Sequence, residues 1–421
     1  MTLIKTSLLS LIATFFKMLS GLVINKVISV YIGPAGLAII GQFQNFSQII
    51  LIVAQGAINN GVVKYTAEYG KENKKLPILF STAAKISLTT SSIVGCILIL
   101  LSNSLSERLL DNIHYTFIFI LFGFTIVLFV LNSFLLSILN GLKEIRNYIK
   151  INIIQSIYSL IFTSLLIYFW GLKGALVALA TNQSIIFFIT LFMLRKHEFI
   201  KIKNFSHPFN KKISKNLFSY SVMAITSAIL APSSQFIIRD YIGSTQGLDQ
   251  AGYWQGIWYI STMYLMVITT VLATYYLPRL SEISNYIELK KELLLGYKIL
   301  LPMTISIGVV IFLIRKFIIL TLFSSDFLPM VELFTFQIIG DSLKITAWLL
   351  SYIMVAKAMT RTFILTEIIS SIFFVLCSLL LINHYGTIGA TYAYTINYIF
   401  YVIMMILVFK LYIKKKFNTK K

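Results

Sequence analysis

Four lysines lie inside long apolar stretches of the sequence: Lys17, Lys26, Lys85 and Lys344. A charge at the centre of a bilayer costs about 2.5–3.5 kcal/mol on insertion scales, so such residues usually face a cavity or a partner. Lys17 and Lys344 are near mid-span, and we predict that they line a cavity. Lys26 and Lys85 are nearer the span ends, where snorkelling to the interface is an equally good interpretation.

An aspartate accompanies the lysine of the tenth apolar run. Asp341 precedes Lys344 by three residues, which places both side chains on one face of a helix. One interpretation is an intrahelical ion pair that makes both charges tolerable in the membrane. The other is a coupling residue, a proton- or cation-sensitive switch that releases or engages the lysine.

Four amide side chains form a stripe along the second apolar run. Gln44, Gln48, Gln55 and Asn59 fall within about 60° of one another on a helical wheel. Hydrogen bonding between helices would explain them, but four amides in line favour a wetted lumen. Because amides both donate and accept hydrogen bonds, the stripe suits sugar hydroxyls.

Membrane helices must position these residues. Of the 421 residues, 57% are hydrophobic and only 12% are charged, with a net charge of +21, whereas soluble domains carry roughly 25% charge. The composition excludes a soluble enzyme, a nucleic-acid-binding domain and a disulfide scaffold. A bilayer-spanning helix needs about 20 apolar residues, and the sequence contains twelve such runs: 6–30, 35–63, 76–101, 115–139, 147–170, 174–194, 214–238, 251–277, 293–314, 328–356, 362–382 and 387–412.

The distribution of positive charge predicts the orientation of these spans. Alternate loops, beginning with the N-terminus, hold 27 lysines and arginines, and the remaining loops hold 5. Basic loops stay in the cytoplasm. We therefore expect both termini to be cytoplasmic.

An internal repeat divides the spans into two groups of six. The pattern Gly-x-x-Gly-Ala at Gly171 recurs 215 residues later at Gly386, and the basic segment 195–215 looks like a linker. We predict an N-terminal six-helix lobe, 1–204, and a C-terminal six-helix lobe, 205–421. With an even number of spans in each, the repeat axis runs along the membrane normal, as in some transporters.

The sequence lacks the features of an enzyme. It has no Walker A motif, and its four histidines lack the spacing of metal ligands. There is also no large outer loop with paired carboxylates for acid–base catalysis. We expect no catalytic residues, no bound metal and no cofactor.

Two stretches carry a family resemblance. Residues 31–69, YIGPAGLAIIGQFQNFSQIILIVAQGAINNGVVKYTAEY, and residues 339–358, IGDSLKITAWLLSYIMVAKA, resemble the second and tenth spans of Wzx-type flippases. These include O-antigen and enterobacterial-common-antigen (lipid III) translocases within the MATE-like MOP exporter superfamily. The resemblance implies an all-α, V-shaped fold of twelve transmembrane helices in two lobes. In that family Asp341 matches an acidic position, and Lys17 and Lys26 match basic positions.

The resemblance also implies a substrate and partners. The substrate would be an undecaprenyl-pyrophosphate-linked oligosaccharide, flipped from the cytoplasmic to the periplasmic leaflet of the bacterial inner membrane. Coupling to a H⁺ or Na⁺ gradient or to the membrane potential is expected, with membrane lipid, a polysaccharide polymerase and a chain-length regulator as partners. A MATE-type exporter of small organic cations is an alternative, but it should show unpaired carboxylates. A membrane-embedded polymerase or ligase is a second alternative, but it should show a large periplasmic loop.

Overall fold

The computed structural model describes residues 3–70, 75–283, 285–357 and 359–413, which are almost entirely helical and include no β-strand. The first eight α-helices are α1 (Leu3–Tyr31), α2 (Gly33–Ala54), α3 (Asn59–Tyr69), α4 (Leu76–Leu100), α5 (Ser102–Leu110), α6 (Thr116–Gly141), α7 (Ile145–Leu194) and α8 (Lys211–Gln246). The others are α9 (Leu248–Val271), α10 (Leu277–Glu282), α11 (Tyr286–Leu313), α12 (Arg315–Leu322), α13 (Phe334–Ala356), α14 (Thr360–Tyr385) and α15 (Ile388–Val408). Short 3-10 helices cover Ile113–Tyr115, Ile202–Phe205 and Ser325–Leu333, and π-helical turns cover Leu272–Tyr276 and Phe409–Ile413.

Each predicted span corresponds to a helix in the described part of the chain. Eight helical segments are long and apolar enough to cross a bilayer by length and composition: Gly33–Ala54, Leu76–Leu100, Ile113–Gly141, Ile145–Leu194, Tyr286–Leu313, Ser325–Ala356, Thr360–Tyr385 and Ile388–Leu411. The 50-residue α7 accounts for two spans, because Gly171 has a non-helical backbone (φ 53°, ψ −129°). The three further predicted spans coincide with α1, α8 and α9. The basic segment 414–421, used to predict orientation, lies outside the described residues.

The second span, predicted over 35–63, is wrong as one continuous helix. α2 ends in a Schellman motif, in which Gly56 N–H donates to Val53 O over 2.9 Å and Ala57 N–H donates to Ile52 O over 3.1 Å. Gly56 has φ +60°, a left-handed conformation that glycine adopts without steric cost. A new helix, α3, begins after this turn.

Helix packing divides the chain into two units, each with its own core. The first unit contains Met1–Ile32 and Ile39–Pro232, and the second contains Gly33–Ala38 and Ser233–Lys421. α8 thus contributes its first part to one unit and its last part to the other. The lobe boundary at 204/205 remains a sequence-based prediction.

In the first unit, α6 packs against α4 and α7, and α7 also packs against α1. α4 and α6 approach closely, since a Cβ on Gly95 would lie 2.5 Å from Gly123 O. Small residues let membrane helices gain backbone contact in this way. A cluster of buried rings, including Phe43, Phe119 and Phe122, fills the core between α2, α4, α6 and α7.

In the second unit, α13 is central and packs against α11, α14 and α15. The contact with α15 depends on Gly340, where a Cβ would lie 2.3 Å from Cδ1 of Tyr394. The missing side chain lets the Tyr394 ring lie directly against the α13 backbone. This position brings its hydroxyl to the residue after Gly340, which is Asp341.

The two units repeat one turn at the same offset as the sequence motif. A Cβ on Gly174 would lie 1.9 Å from Leu166 O, and a Cβ on Gly389 would lie 2.2 Å from Leu381 O. Either position therefore requires glycine, because any side chain would overlap the carbonyl of the preceding helix. Both the glycines and their partners are 215 residues apart. The local structure thus repeats where the sequence does.

Candidate functional site

A cavity of about 410 Å³ lies in the first unit, between α1, α6 and α7. Eight of its twelve lining side chains are polar, and they include one cation and no carboxylate. The lining residues are Lys17, Ser20, Gly21, Ile24, Phe129, Ser133, Leu136, Asn152, Gln155, Ser156, Ser159 and Gln183. Such a lining provides one positive charge together with hydroxyl and amide groups, which can bind phosphate and sugar oxygens.

Helical spacing brings these residues to one surface. From Lys17, α1 contributes the positions i, i+3, i+4 and i+7, and from Asn152, the first part of α7 contributes the same pattern. Residues with this spacing share one face of a helix. The second part of α7 adds Gln183, and α6 adds Ser133.

Three asparagines that do not line the cavity donate hydrogen bonds to side chains that do. Buried Asn132 donates through Nδ2 to Gln183 Oε1 over 3.2 Å, and its Oδ1 accepts from Thr190 Oγ1 over 2.8 Å. Asn182 donates through Nδ2 to Ser159 Oγ. The third, Asn59, donates to a residue of α6.

Asn59 was predicted to continue the amide stripe of the second span, but it is the first residue of α3. Its Nδ2 donates to Gln55 Oε1 over 3.0 Å and to Ser133 Oγ over 2.8 Å. Asn59 therefore does not line the cavity but hydrogen-bonds to Ser133, which does. The stripe is interrupted because the Schellman turn of α2 changes the direction of the chain between Gln55 and Asn59.

Lys17 is the predicted site residue that the structure places in the cavity, where its side chain is exposed. Lys26, Gln44, Gln48 and Gln55 are not among the lining residues. Gln48 is exposed and Gln44 is half-buried. Substrate binding by these four residues remains a prediction.

Lys85 lies on α4, away from the cavity lining. Its Nζ donates to His207 O over 2.8 Å. Ser81, one turn earlier, donates to Phe205 O over 2.9 Å. The linker after α7 is therefore held against α4, a position that favours a structural role for Lys85 over its predicted role in substrate binding.

A second polar site is buried in the second unit around Asp341, which has no exposed surface. Its Oδ2 accepts from Ser261 Oγ over 2.5 Å and from Tyr264 Oη over 2.6 Å. Its Oδ1 accepts from Tyr394 Oη over 2.7 Å. The carboxylate thus has three hydroxyl donors from α9 and α15, which offset the loss of its hydration.

Lys344 lies among aromatic rings. Its Nζ is 4.8 Å from the ring centre of Trp348, 5.5 Å from Trp258, 5.8 Å from Tyr398 and 5.9 Å from Tyr394. These distances are typical of cation–π contacts. Four rings therefore stabilise the half-buried ammonium group.

One of the two interpretations of Asp341 and Lys344, an intrahelical ion pair, does not hold as a direct contact. Among the described residues, no ion pair within 4.0 Å joins them. The carboxylate accepts hydrogen bonds from hydroxyls of other helices, and the ammonium group makes cation–π contacts with aromatic rings. Helical spacing puts both on one face, but partners from α9 and α15 separate their contacts.

Glu367 on α14 is an intramembrane carboxylate that the sequence analysis did not single out. It accepts a hydrogen bond from Tyr401 Oη over 2.6 Å, and the negative charges of Glu367 and Asp341 both act on Lys344. A lone acidic residue in the apolar run 362–382 was the signal that could have found it.

No cluster of three or more metal-ligating side chains occurs in the described part of the chain.

Arg239 directly follows the predicted span 214–238 and would on that basis lie in an outer loop, but α8 continues past it and its side chain is only 2% exposed. The guanidinium carbon is 5.6 Å from the Trp254 ring centre, and Nη2 donates to Gln255 Oε1. Arg239 therefore carries no topological information.

Sequence reasoning also missed the polar face of α7 that begins at Asn152. Its i, i+3, i+4, i+7 spacing was visible in the sequence. Gln183 had no such signal, because its position in the wall depends on packing against α6.

Comparisons with known proteins agree on one family and one fold. A family model described as "Polysaccharide biosynthesis protein" matches residues 3–284. Over 401 residues the chain is 27% identical to the lipid III flippase of Escherichia coli (strain K12), covering 95% of this chain and 96% of that protein. The lipid III flippase of Shigella flexneri matches with the same identity and coverage.

Two solved structures share the fold. An inward-facing multidrug resistance MATE family transporter of the MOP superfamily aligns with a TM-score of 0.79, at 14% identity over 96% of each chain. The lipid II flippase MurJ, in an inward closed conformation, aligns with a TM-score of 0.71, at 18% identity over 99% of this chain and 89% of that one. The fold of the chain is therefore that of the MATE-like membrane transporters.

Proposed function

Because the chain belongs to the polysaccharide biosynthesis protein family, we propose that it is a flippase that moves a lipid-linked oligosaccharide across the membrane. Relatives that match over almost the whole chain are lipid III flippases, and MurJ, a lipid II flippase, shares the fold. These relatives are transporters, so no enzymatic step is assigned. The observation that carries the proposal is the cavity of the first unit, with its single cation and polar wall.

The family resemblance suggests the substrate class, and the chemistry of that cavity supports it. We propose an undecaprenyl-pyrophosphate-linked repeat unit of O-antigen, enterobacterial common antigen or a related glycan. Lys17 would offset the pyrophosphate charge as it leaves water, since an unpaired anion is costly in a dry environment. Serine hydroxyls and amides would replace the hydration of the sugars, while the lipid tail remains in the bilayer.

The proposed direction is from the cytoplasmic to the periplasmic leaflet of the inner membrane, by alternating access. An inside-negative potential favours outward movement of negative charge by about 2.3 kcal/mol per charge per 100 mV. A H⁺ or Na⁺ gradient would add to this driving force through Asp341, the buried carboxylate of the second unit. A polysaccharide polymerase and a chain-length regulator would take the product on the periplasmic side.

The proposed orientation places both termini and the segment 195–215 in the cytoplasm, on the basis of the distribution of lysine and arginine. Reporter fusions after residues 205 and 325 test it. The first fusion should report the cytoplasm and the second the periplasm. A periplasmic reporter at the first position would overturn the orientation.

Complementation tests the function. The chain is expressed in a strain that lacks its flippase for a lipid-linked glycan, and two quantities are measured: surface polysaccharide and lipid-linked repeat units retained in the cytoplasmic leaflet. We expect the chain to restore the polysaccharide and to clear the retained intermediate when the strain makes the matching glycan. Export of organic-cation drugs without any change in the retained intermediate would contradict the proposal and favour a MATE-type exporter.

A further inference from the structure

The hydrogen bonds behind the cavity wall have a direction. Gln183 accepts from Asn132 through Oε1, and Asn132 is held in this orientation because its own Oδ1 accepts from Thr190. The Nε2 group of Gln183 therefore remains as the free end of its amide. In the described part of the chain, that group donates to no protein acceptor. Gln183 thus presents two N–H donors to the cavity.

Two serine hydroxyls of the cavity lining also accept hydrogen bonds from asparagines. Ser133 Oγ accepts from Asn59, and Ser159 Oγ accepts from Asn182. A hydroxyl that accepts from one side has its own hydrogen left to donate. Within the described residues neither hydroxyl donates to a protein acceptor, so both can donate to a group in the cavity.

The polar side chains of α7 that precede Ser159 are oriented differently. Asn152 uses its Nδ2 on Tyr148 O over 2.7 Å, and Ser156 donates to Asn152 O over 2.9 Å. Gln155 Oε1 is buried without a hydrogen-bond partner. Asn152 and Ser156 therefore each use a donor within α7, whereas Lys17, Ser133, Ser159 and Gln183 keep donors for a group in the cavity.

We infer that Asn59, Asn132 and Asn182 are positioning residues that make one wall of the cavity donate hydrogen bonds, so that it takes an oxyanion of the phosphate or carboxylate class. Four donating groups, one of them charged, match a group rich in acceptor oxygens. This inference rests on the proposed function and specifies the chemical class of the group that these donors contact.

Two sources of an oxyanion fit this wall: the pyrophosphate of the lipid anchor and the carboxylate of an acidic sugar. Three probes separate them on the purified full-length protein by calorimetry. They are geranyl pyrophosphate, geranyl glucuronide and the uncharged geranyl glucoside. The glucuronide and the glucoside differ only at C6, which is a carboxylate in the first and a hydroxymethyl group in the second, so a preference between them reports the anion.

The central variant is Asn132→Asp. The substitution is isosteric, still accepts from Thr190, and has no Nδ2, so Gln183 must turn its own N–H groups away from the cavity. We expect the affinity for at least one anionic probe to fall by about tenfold or more, the equivalent of one charge-assisted hydrogen bond. We expect the affinity for the glucoside to stay within about twofold. A fall for the pyrophosphate identifies the lipid anchor, and a fall confined to the glucuronide identifies an acidic sugar.

Two further variants guard against a folding defect and a general charge effect. Gln183→Met removes the donors without adding charge, and it should weaken the same anionic probe as Asn132→Asp. Asn397→Asp is the control, because Asn397 is likewise a buried asparagine whose Oδ1 accepts from a hydroxyl, Ser370 Oγ over 3.2 Å, but it lies in the second unit. It should leave the affinities for all three probes unchanged.

Equal losses for all three probes in Asn132→Asp, or no loss for either anionic probe, would overturn the inference. These outcomes differ from a failure of the proposed function. If the wild-type chain restores surface polysaccharide but binds the three probes equally, the proposed function stands and the inferred oxyanion site does not. A chain that fails to restore polysaccharide contradicts the function itself.

Discussion

The first and second units each place a lysine at the middle of a membrane helix, and they surround it differently. Lys17 is exposed in a cavity whose lining has no carboxylate. Lys344 is half-buried among four aromatic rings, and two carboxylates act on it. The first lysine therefore has its charge available for a ligand, whereas the charge of the second is largely stabilised within the protein. A duplicated scaffold can thus carry a binding site in one half and an internal charge cluster in the other.

The largest effect on transport should come from Lys17→Ala. The substitution removes the cation from the cavity wall, so surface polysaccharide in the flippase-lacking strain should be abolished while the membrane protein level is unchanged. Lys→Arg at this position should retain part of the function, since it keeps the charge but changes its shape.

The control is Lys173→Ala, an exposed lysine of α7 outside the cavity lining. It should transport like the wild type. Normal polysaccharide in Lys17→Ala would remove the cationic cavity from the mechanism.

A large effect on folding should come from Asp341→Asn. It removes the charge that three hydroxyls and Lys344 stabilise, and breaking a buried charge arrangement costs about 3–5 kcal/mol. We expect a lower membrane protein level and a lower thermal unfolding midpoint, both restored by adding Lys344→Gln. If Asp341 couples transport to a proton or cation, the double variant should fold and still fail to flip.

Restored polysaccharide in that double variant would reject Asp341 as the coupling residue. Glu367 supplies an independent check, because its charge also acts on Lys344. In the Lys344→Gln variant, Glu367 has lost the cation that offsets its charge. Adding Glu367→Gln should therefore raise the unfolding midpoint above that of Lys344→Gln alone.

A smaller effect should come from Gly340→Ala. The added Cβ would lie 2.3 Å from Cδ1 of Tyr394, so the ring must move and its hydrogen bond to Asp341 must lengthen. Overpacking of this kind costs about 1–3 kcal/mol. Gly243→Ala is the matched control, because its Cβ would lie at an ordinary 3.4 Å from the nearest atom. Equal unfolding midpoints for both variants would show that the Tyr394 contact does not constrain the second unit.

The sequence was sufficient to locate the membrane helices and to place Lys17 within one of them, because a long apolar run and a charge within it are local features. It was insufficient where structure depends on partners distant in sequence. The pairing of Asp341 with hydroxyls of α9 and α15 could not be read from its spacing to Lys344. The amide stripe failed for a local reason, since the left-handed turn at Gly56 ends α2 before Asn59.

The most direct test of the contrast between the units is the affinity of the purified protein for geranyl pyrophosphate, compared between Lys17→Ala and Lys344→Met. The methionine keeps an unbranched apolar stem without the charge, and the comparison is made on the folded fraction of each variant. The account predicts that Lys17→Ala weakens binding by about tenfold or more, whereas Lys344→Met binds like the wild type. Wild-type affinity in Lys17→Ala, together with lost affinity in Lys344→Met, would place the anion site in the second unit and contradict the account.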